Sequence, residues 1–546
     1  MTADIDASMR GKGGSSEGLT GQSGSVCILS RKELRNITRV PRMAKALTDA
    51  GIGVVVVSMG APVAGLRALS RGIEYIEVAP RPFTTRVLNY FNGCVLAQTT
   101  RRARRARRYV EAAASGGWLL CFRNIQRAAR LPMEIVAAGF RGIVLAPPCA
   151  LLTARRECGF AAAWREAVHQ PSAALLSGFV RAAHRQMLTR AFAAAADKAT
   201  RGHRFQVVQA HDNYALVAAS RLARRDRARL IYDAVELTEH RLGTSFTRLE
   251  RFAEAYDRRQ EAAIFRRADA VVTVGKGVGD WYVRQHGIAT PLVVRNCREF
   301  WSYAQDHRLR DDIGVGAETP VVVWFGGIYP EQGVETLIDV VPLLTPQAHV
   351  AVVAYALPRW RRYVDEELPG RAKERGVADR VHILAPRDPQ DLVPYVSGAS
   401  IGVIPRPSGH PNNFFSMPNK FLEMIMARLP VAVSRLGDVV EAVAQLRIGE
   451  SFDETDLADM ARVINRMLDP QVNKVLKANV MTAATEMTWE RERVPYVARV
   501  KALMRDGVWP VSEASPLSVK PRRRPRRYRE TVRNNRRPSS TDGTGR

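Results

Sequence analysis

Lys420 and Glu423 lie three residues apart in the stretch Ser408–Ser434, SGHPNNFFSMPNKFLEMIMARLPVAVS, and offer the two kinds of group that a nucleoside diphosphate needs. A cation neutralises phosphate, and a carboxylate accepts hydrogen bonds from ribose hydroxyls. At i and i+3 of a helix both side chains project from one face. The surrounding pattern predicts that helix: an apolar run Ile401–Pro405, a Gly/Pro/Asn loop, Ser416 or Met417 as helix cap with Pro418 in the first turn, an apolar-periodic stretch to Arg428, and a strand Val431–Ser434. A helix N-terminus placed after a strand presents unpaired amide N–H groups and a positive dipole end to a phosphate. In isolation, Lys and Glu at this spacing read as a surface pair; the strand, loop and helix around them favour a site.

Two further groups could do chemistry. His211 and Asp212 fall at the end of an apolar run, where the histidine reads equally as a core or turn residue and as a functional one. Gly275-Lys276-Gly277-Val278-Gly279 mimics a phosphate loop, yet it lacks both a complete G-x-G-x-x-G and a GK[ST] ending, and it reads as a helix entry. No D-x-D follows a strand, since Asp4-Ile-Asp6 lies in the leader, so no metal site is expected.

The elements that must position these residues are short β-branched runs alternating with helical stretches, the pattern of parallel sheets covered by helices. The first unit is Val26–Ser30, a helix over Arg39–Ala50 ending at Gly51, and Gly53–Ser58. Further strands are predicted at Trp118–Phe122, Gly142–Ala146, Phe205–Ala210, Leu230–Asp233, Ala270–Val274 and Leu292–Arg295. After a polar interval the series restarts with Val321–Phe325, His349–Tyr355, Val381–Leu384, Ile401–Pro405 and Val431–Ser434. The Ala- and Arg-rich stretch Leu151–Gly202 predicts helices packed on the first domain. The fold class is therefore α/β with two Rossmann-like domains and disordered termini. The expected boundaries are a leader over 1–25, an N-terminal domain with helical insertion over 26–300, a linker over 301–319, a C-terminal domain over 320–484, a helix over 485–510 and a basic tail over 511–546.

Composition narrows the class. The chain has 546 residues, 46% hydrophobic and 25% charged, which suits several folded domains rather than a fibrous or wholly disordered protein. Its formal charge of +28 predicts a polyanionic partner. The segment Ser515–Arg546 carries eleven basic residues against two acids, a local +9, which leaves +19 on the rest. That tail has one aromatic, Tyr528, and no recognition motif, so specific nucleic-acid binding is not expected. Arg101–Arg108 reads RRARRARR, either a solvated helix face or a contact for an anionic membrane. Six scattered cysteines without a CxxC pair exclude a zinc knuckle or a disulfide framework and fit a reducing compartment. The start of the chain lacks the apolar core of a signal peptide, and no run reaches the ~20 apolar residues of a membrane span.

Several of these segments resemble the large retaining group 1, GT4-like, family of GT-B glycosyltransferases. PNKFLEMIMARLPVAVS is similar to the family's P-x-K-x-x-E-x-x-x-x-G-x-P-V-V-x-S element. VVQAHDNYALVAASRLAR and LIYDAVELTEHR resemble elements that deliver an acceptor-side histidine and acidic residues, here His211, Asp212 and Glu236. RRADAVVTVGKGVGDWYVRQHG with PLVVRN resembles the segment before the interdomain linker, and MTWERERVPYVARVKALM the helix that crosses back. The resemblance implies catalytic positions His211, Asp212 and Glu236, and donor-binding positions Gly326, Gly327, Asn412, Asn413, Lys420 and Glu423.

This sequence departs from the family at two places. The E-x7-E motif keeps Glu423 but has Phe415 at its first position, and Asn412 or Asn413 is left to meet the donor sugar. The element that usually supplies a diphosphate-binding lysine reads PEQGVE, with Gln332 in its place, and the accompanying arginine falls near Gly326-Gly327-Ile328. The expected activity is hexosyl transfer, with retention, from a nucleotide-diphosphate sugar to a glycan or lipid-linked acceptor in cell-surface or exopolysaccharide biosynthesis. No cofactor is expected beyond that donor. A cytoplasmic protein, peripheral at the inner face of an anionic membrane, is expected. The alternative is a non-catalytic GT-B-like assembly or surface-binding protein.

Overall fold

A computed structural model of the chain describes residues 25–32, 34, 37–59, 72–79, 186–237, 258–304, 306–330 and 332–510. The leader, the Arg101–Arg108 run, the predicted strands Trp118–Phe122 and Gly142–Ala146, most of Leu151–Gly202 and the basic tail lie outside these residues. The chain divides into two compact units, and both sheets belong to the unit formed by Met1–Val78, Ala196–Gly243 and Gln260–Arg546. The other, Ala79–Ala195 with Thr244–Arg259, contributes only short described pieces.

Seven parallel strands form the first sheet: β1 (Ser25–Ser30), β2 (Gly53–Ser58), β3 (Ile73–Glu77), β4 (Val207–His211), β5 (Arg229–Ala234), β6 (Ala270–Thr273) and β7 (Leu292–Val293), in the order β3-β2-β1-β4-β5-β6-β7. Six more form the second: β8 (Val321–Ile328), β9 (His349–Ala356), β10 (Val381–Leu384), β11 (Ile401–Ile404), β12 (Val431–Ser434) and β13 (Gly449–Phe452), in the order β10-β9-β8-β11-β12-β13. The chain order reverses between β1 and β4 in the first sheet and between β8 and β11 in the second. Such switch points open a crevice at the carboxyl ends of the strands, where ligands bind in α/β folds.

The alternation of strand side chains explains why the second sheet needs cover on both faces. Val323 and Phe325 of β8, with Ala351 and Val353 of β9, pack with Phe421, Met424 and Ile425. Their neighbours Val322, Trp324, Val350 and Val352 pack on the other face with Leu337, Ile338, Val463 and Ile464. Each fully buried side chain of this kind contributes about 1.5–3 kcal/mol. The helix Trp489–Asp506 joins the core of the first sheet through Trp489, Tyr496, Val500 and Leu503, beside Val26, Ile28, Met43 and Leu47. Its Tyr496 hydroxyl donates to Gln209 Oε1 of β4 at 2.7 Å, and Trp489 N is held by Arg298 O at 2.9 Å.

Three local expectations are corrected. Strands β3 and β13 are present although the sequence shows no long apolar run for either; both are edge strands with half-exposed polar residues, IEYIE and GESF. The helix carrying Lys420 starts at Asn419, with Pro418 as its extended N-cap at ψ 144° rather than inside its first turn. A separate short helix, Pro411–Phe414, occupies the preceding loop, closed by the His410 side chain accepting from Asn412 N.

Candidate nucleotide-sugar site

Strand β8 runs through Gly326 and Gly327 to its last residue, Ile328, and β11 runs out through Pro405 and Arg406, so the switch point of the second sheet lies between them. The loop after β11 leads into the Asn419–Met426 helix, whose first turn returns Lys420 to this crevice. Gly326 adopts φ +124°, a conformation that side-chain-bearing residues rarely take, and a Cβ there would lie 3.8 Å from Lys420 Nζ. Lys420 Nζ also sits 4.0 Å from the centre of the buried Trp324 ring. Burial, with Arg406 adding repulsion, pushes the Lys420 ammonium down to about 7, against a smaller opposing effect of Glu423. The structure thus brings together Gly326, Gly327 and Lys420.

Glu423 lies on the same helix but is engaged elsewhere. Its Oε1 accepts from Arg298 Nη2 at 2.6 Å and Nε at 3.2 Å, which leaves Oε2 without a hydrogen bond among the described residues. Asn412 Oδ1 accepts from Leu237 N at 3.1 Å, a bond from the segment after β5 to the segment after β11. Asn413 is buried; its Nδ2 donates to Pro407 O at 2.9 Å, while Oδ1 has no partner among the described residues. Phe415 stands 5.5 Å from the Trp281 ring and closes on Gly277, so its side chain serves packing between the two sheets' helices. Gln332 is only 4% exposed.

At the carboxyl end of the first sheet, His211 Nδ1 meets Asp233 Oδ2 at 2.8 Å. Asp233 is also held by Arg39 through three bonds of 2.7 to 3.2 Å. Burial alone would raise the Asp233 carboxyl, but the Arg39 charge and the two side-chain hydrogen bonds overcome it and keep the group well below the usual carboxylate range. An ionised Asp233 can only accept, so His211 donates to it from Nδ1, which leaves Nε2 as the ring nitrogen for a ligand. Asp212, at φ +66° and ψ 159°, is in a region that costs non-glycine residues free energy and is often found at functional sites. Its carboxylate accepts from Asn213 N at 2.7 Å and pairs with Lys32 Nζ at 2.8 Å. Glu236 is exposed, and its carbonyl accepts from Tyr282 OH at 2.8 Å.

The Gly275–Gly279 stretch caps and opens the helix Lys276–His286, as its composition predicts. The anion at its start is Asp438: Gly277 N donates to Oδ1 at 2.9 Å and Oδ2 at 2.8 Å. A Cβ on Gly277 would approach Asp438 Oδ1 to 2.6 Å, which explains the bare backbone there. Arg39, Asp233, Arg298, Arg406 and Asp438 all escaped the sequence reading. The available signal was position, since Asp233 ends the run LIYD and Arg406 directly follows IGVIP.

A family model described as glycosyl transferases group 1 matches residues 319–470, and one described as glycosyltransferase family 4 matches residues 128–297. Sucrose-phosphate synthase from Thermosynechococcus elongatus superposes with a TM-score of 0.56 at 15% identity, over 88% of this chain and 99% of that one. The Anabaena protein HepE, in complex with UDP and glucose, superposes with a TM-score of 0.52 at 14% identity, over 88% of this chain and 100% of its own. D-inositol 3-phosphate glycosyltransferase from Corynebacterium efficiens is 27% identical over 186 residues, which span 33% of this chain and 42% of the relative. Two parallel sheets flanked by helices, with matches to both halves of the family, place the chain in the group 1 glycosyltransferases of GT-B fold. Less than half the length of the curated relative is matched. Among the described residues no helix is long and apolar enough to cross a membrane, and no three His, Cys, Asp or Glu side chains are grouped to hold a metal ion.

Proposed function

We propose that this protein transfers a hexosyl group, with retention, from a nucleoside-diphosphate sugar to a hydroxyl of a glycan or lipid-linked acceptor. One observation carries the reading: a desolvated lysine at a helix N-terminus faces the bare Gly326 backbone near the end of β8, at the switch point of a parallel sheet. Departure of the diphosphate builds negative charge, and each preorganised donor in a water-excluded crevice is worth about 3 kcal/mol to that step. Lys420 and the first-turn amides would supply those donors, Glu423 Oε2 would accept from a ribose hydroxyl, and Asn413 Oδ1 from a sugar hydroxyl. Nε2 of His211 would meet a hydroxyl of the reacting sugar or acceptor, with Asp212 next to it in the chain and Glu236 just beyond the end of the neighbouring strand β5 to help position that hydroxyl. No protein nucleophile is assigned.

We place this activity in cell-surface or exopolysaccharide biosynthesis, at the cytoplasmic face of an anionic membrane. The +28 charge supports that location, because each basic residue near such a surface adds about 1 kcal/mol. Sedimentation with anionic vesicles at low salt and release at high salt is the expected result.

The function is tested by incubating the protein with a panel of nucleoside-diphosphate hexoses and measuring nucleotide release together with direct binding. Slow nucleotide release from one donor is the expected result. Binding without turnover, even with candidate acceptors, would favour the non-catalytic alternative, which the Phe415 packing and the buried Gln332 support. Absence of binding across the panel would refute both.

A further inference from the structure

The crevice between β8 and β11 holds a second cation that the family resemblance does not point to. Arg406 is the first residue beyond Pro405, and its backbone is pinned on several sides. Ser434 Oγ donates to Arg406 O. Ser408 donates from both N and Oγ to Glu454 Oε1. Gly333, at φ +81°, lets the start of the following helix rest directly on the Pro405 carbonyl. The guanidinium therefore stands on rigid chain.

Its surroundings are unusual for a half-buried arginine. Nε is shielded from solvent without a hydrogen-bond partner, and among the described residues no carboxylate forms an ion pair with the group. Burial lowers its pKa, with the Tyr329 hydroxyl and the Glu236 carboxylate opposing, and it repels Lys420 in turn. Two cations that share a desolvated crevice with no carboxylate in ion-pair contact are costly unless an anion completes them. The loop that could have supplied other cations has none: Gly327 carries no side chain, a Cβ there would meet nothing within 4 Å, and Gln332 is neutral and buried.

We infer that Arg406 and Lys420 together form the diphosphate clamp of this protein, with Arg406 holding the phosphate through its planar fork and standing in for the cations absent from the Gly326–Gln332 loop. This assignment rests on the nucleotide-sugar reading above and specifies how that site works. An arginine fork suits two oxygens of one phosphate, whereas the lysine acts as a point charge.

The test is binding of UDP, GDP and ADP, and of their monophosphates, to the full chain and to the variants Arg406→Gln and Arg406→Lys, with thermal melting as a check on folding. For whichever nucleotide binds, Arg406→Gln should lower diphosphate affinity about 10- to 100-fold. It should lower monophosphate affinity much less. Arg406→Lys should fall between, because it keeps the charge and loses the fork. The melting temperature without nucleotide should hold or rise, since the variant removes a half-buried cation that has no carboxylate in ion-pair contact among the described residues. Unchanged diphosphate affinity in a folded Arg406→Gln variant would overturn the assignment while leaving the nucleotide-sugar reading intact. Equal losses for mono- and diphosphates would also overturn it. Failure of the unmodified protein to bind any of the three diphosphates would instead overturn the underlying reading, and the clamp with it.

Discussion

The carboxyl edges of the two sheets handle charge in opposite ways. At the first, Arg39, His211 and Asp233 close on one another, and Lys32 pairs with Asp212, so every buried charge has an opposite within hydrogen-bond reach. At the second, Lys420 rests on an aromatic ring and Arg406 has a bare Nε. A closed network orients a neutral hydroxyl without needing a ligand for stability, while an open cationic crevice spends stability to favour an anion. The largest effect should come from breaking the closed edge. Asp233→Ala leaves the Arg39 guanidinium buried and unpaired, which should cost about 3–5 kcal/mol of unfolding free energy in denaturant titration. A loss below about 1 kcal/mol would show that the network is not structurally coupled as described.

The same operation on the open edge should go the other way. Lys420→Met removes a desolvated ammonium and keeps the volume beside Trp324, so unliganded stability at pH 6 should be unchanged or higher. Diphosphate binding should weaken by about 2–4 kcal/mol. A Lys420→Met protein that is both destabilised and fully competent to bind would erase the contrast between the edges.

Proton linkage sharpens the contrast further. With Lys420 pushed down to about 7, the unliganded folded protein has shed a proton that the unfolded chain keeps up to its ordinary value of about 10.4. The unfolded state thus binds more protons in that window, and this group's contribution to stability rises with pH from about 7 to 10. Binding an anion reverses the balance by restoring the ammonium. Diphosphate affinity should therefore fall as pH rises above 7, by up to about tenfold per unit, and calorimetry in buffers of different ionisation enthalpy should record proton uptake. Proton release, or none, would place the binding determinant elsewhere.

The parts of this molecule that could be read from sequence are those with a local cause. Central strands such as VCILS and VVVVS are apolar on both faces because helices cover both, and they announce themselves. Edge strands β3 and β13 leave most of their residues half-exposed or exposed, with only Phe452 fully buried, so IEYIE and GESF carry no comparable signal. Lys420 was legible because a proline, a loop and a helix start surround it. Arg298, which takes up one oxygen of Glu423 from 125 residues away, was not, since that pairing is created by the chain's return between the sheets. Arg39 and Asp233 illustrate the same limit at a separation of 194 residues.

The smallest predicted effect concerns the place where the two halves touch. Asp438 accepts two contacts from Gly277 N and so caps the helix between β6 and β7 of the first sheet from the helix between β12 and β13 of the second. Burial, resisted by the Gly277 amide, pushes the Asp438 carboxyl up to about 6. In the unfolded chain the group titrates near 3.9, so between about pH 4 and 6 the folded protein holds a proton that the unfolded one has lost. Stability contributed by this group must then decline as pH rises through that window and level off above it. Asp438→Ala removes the titration and the cap together. At pH 7 the variant should lose about 1 kcal/mol, the usual worth of an N-cap, while its stability should lack the downward slope between pH 4 and 6. Because the cap joins the two halves, proteolysis of the Ser408–Ser416 loop, which also bonds to Leu237 through Asn412, should quicken in the variant. An unaltered pH profile together with unaltered proteolysis would mean that Asp438 merely fills space and that the halves are held by Phe415 on Trp281 and the return of the Trp489–Asp506 helix.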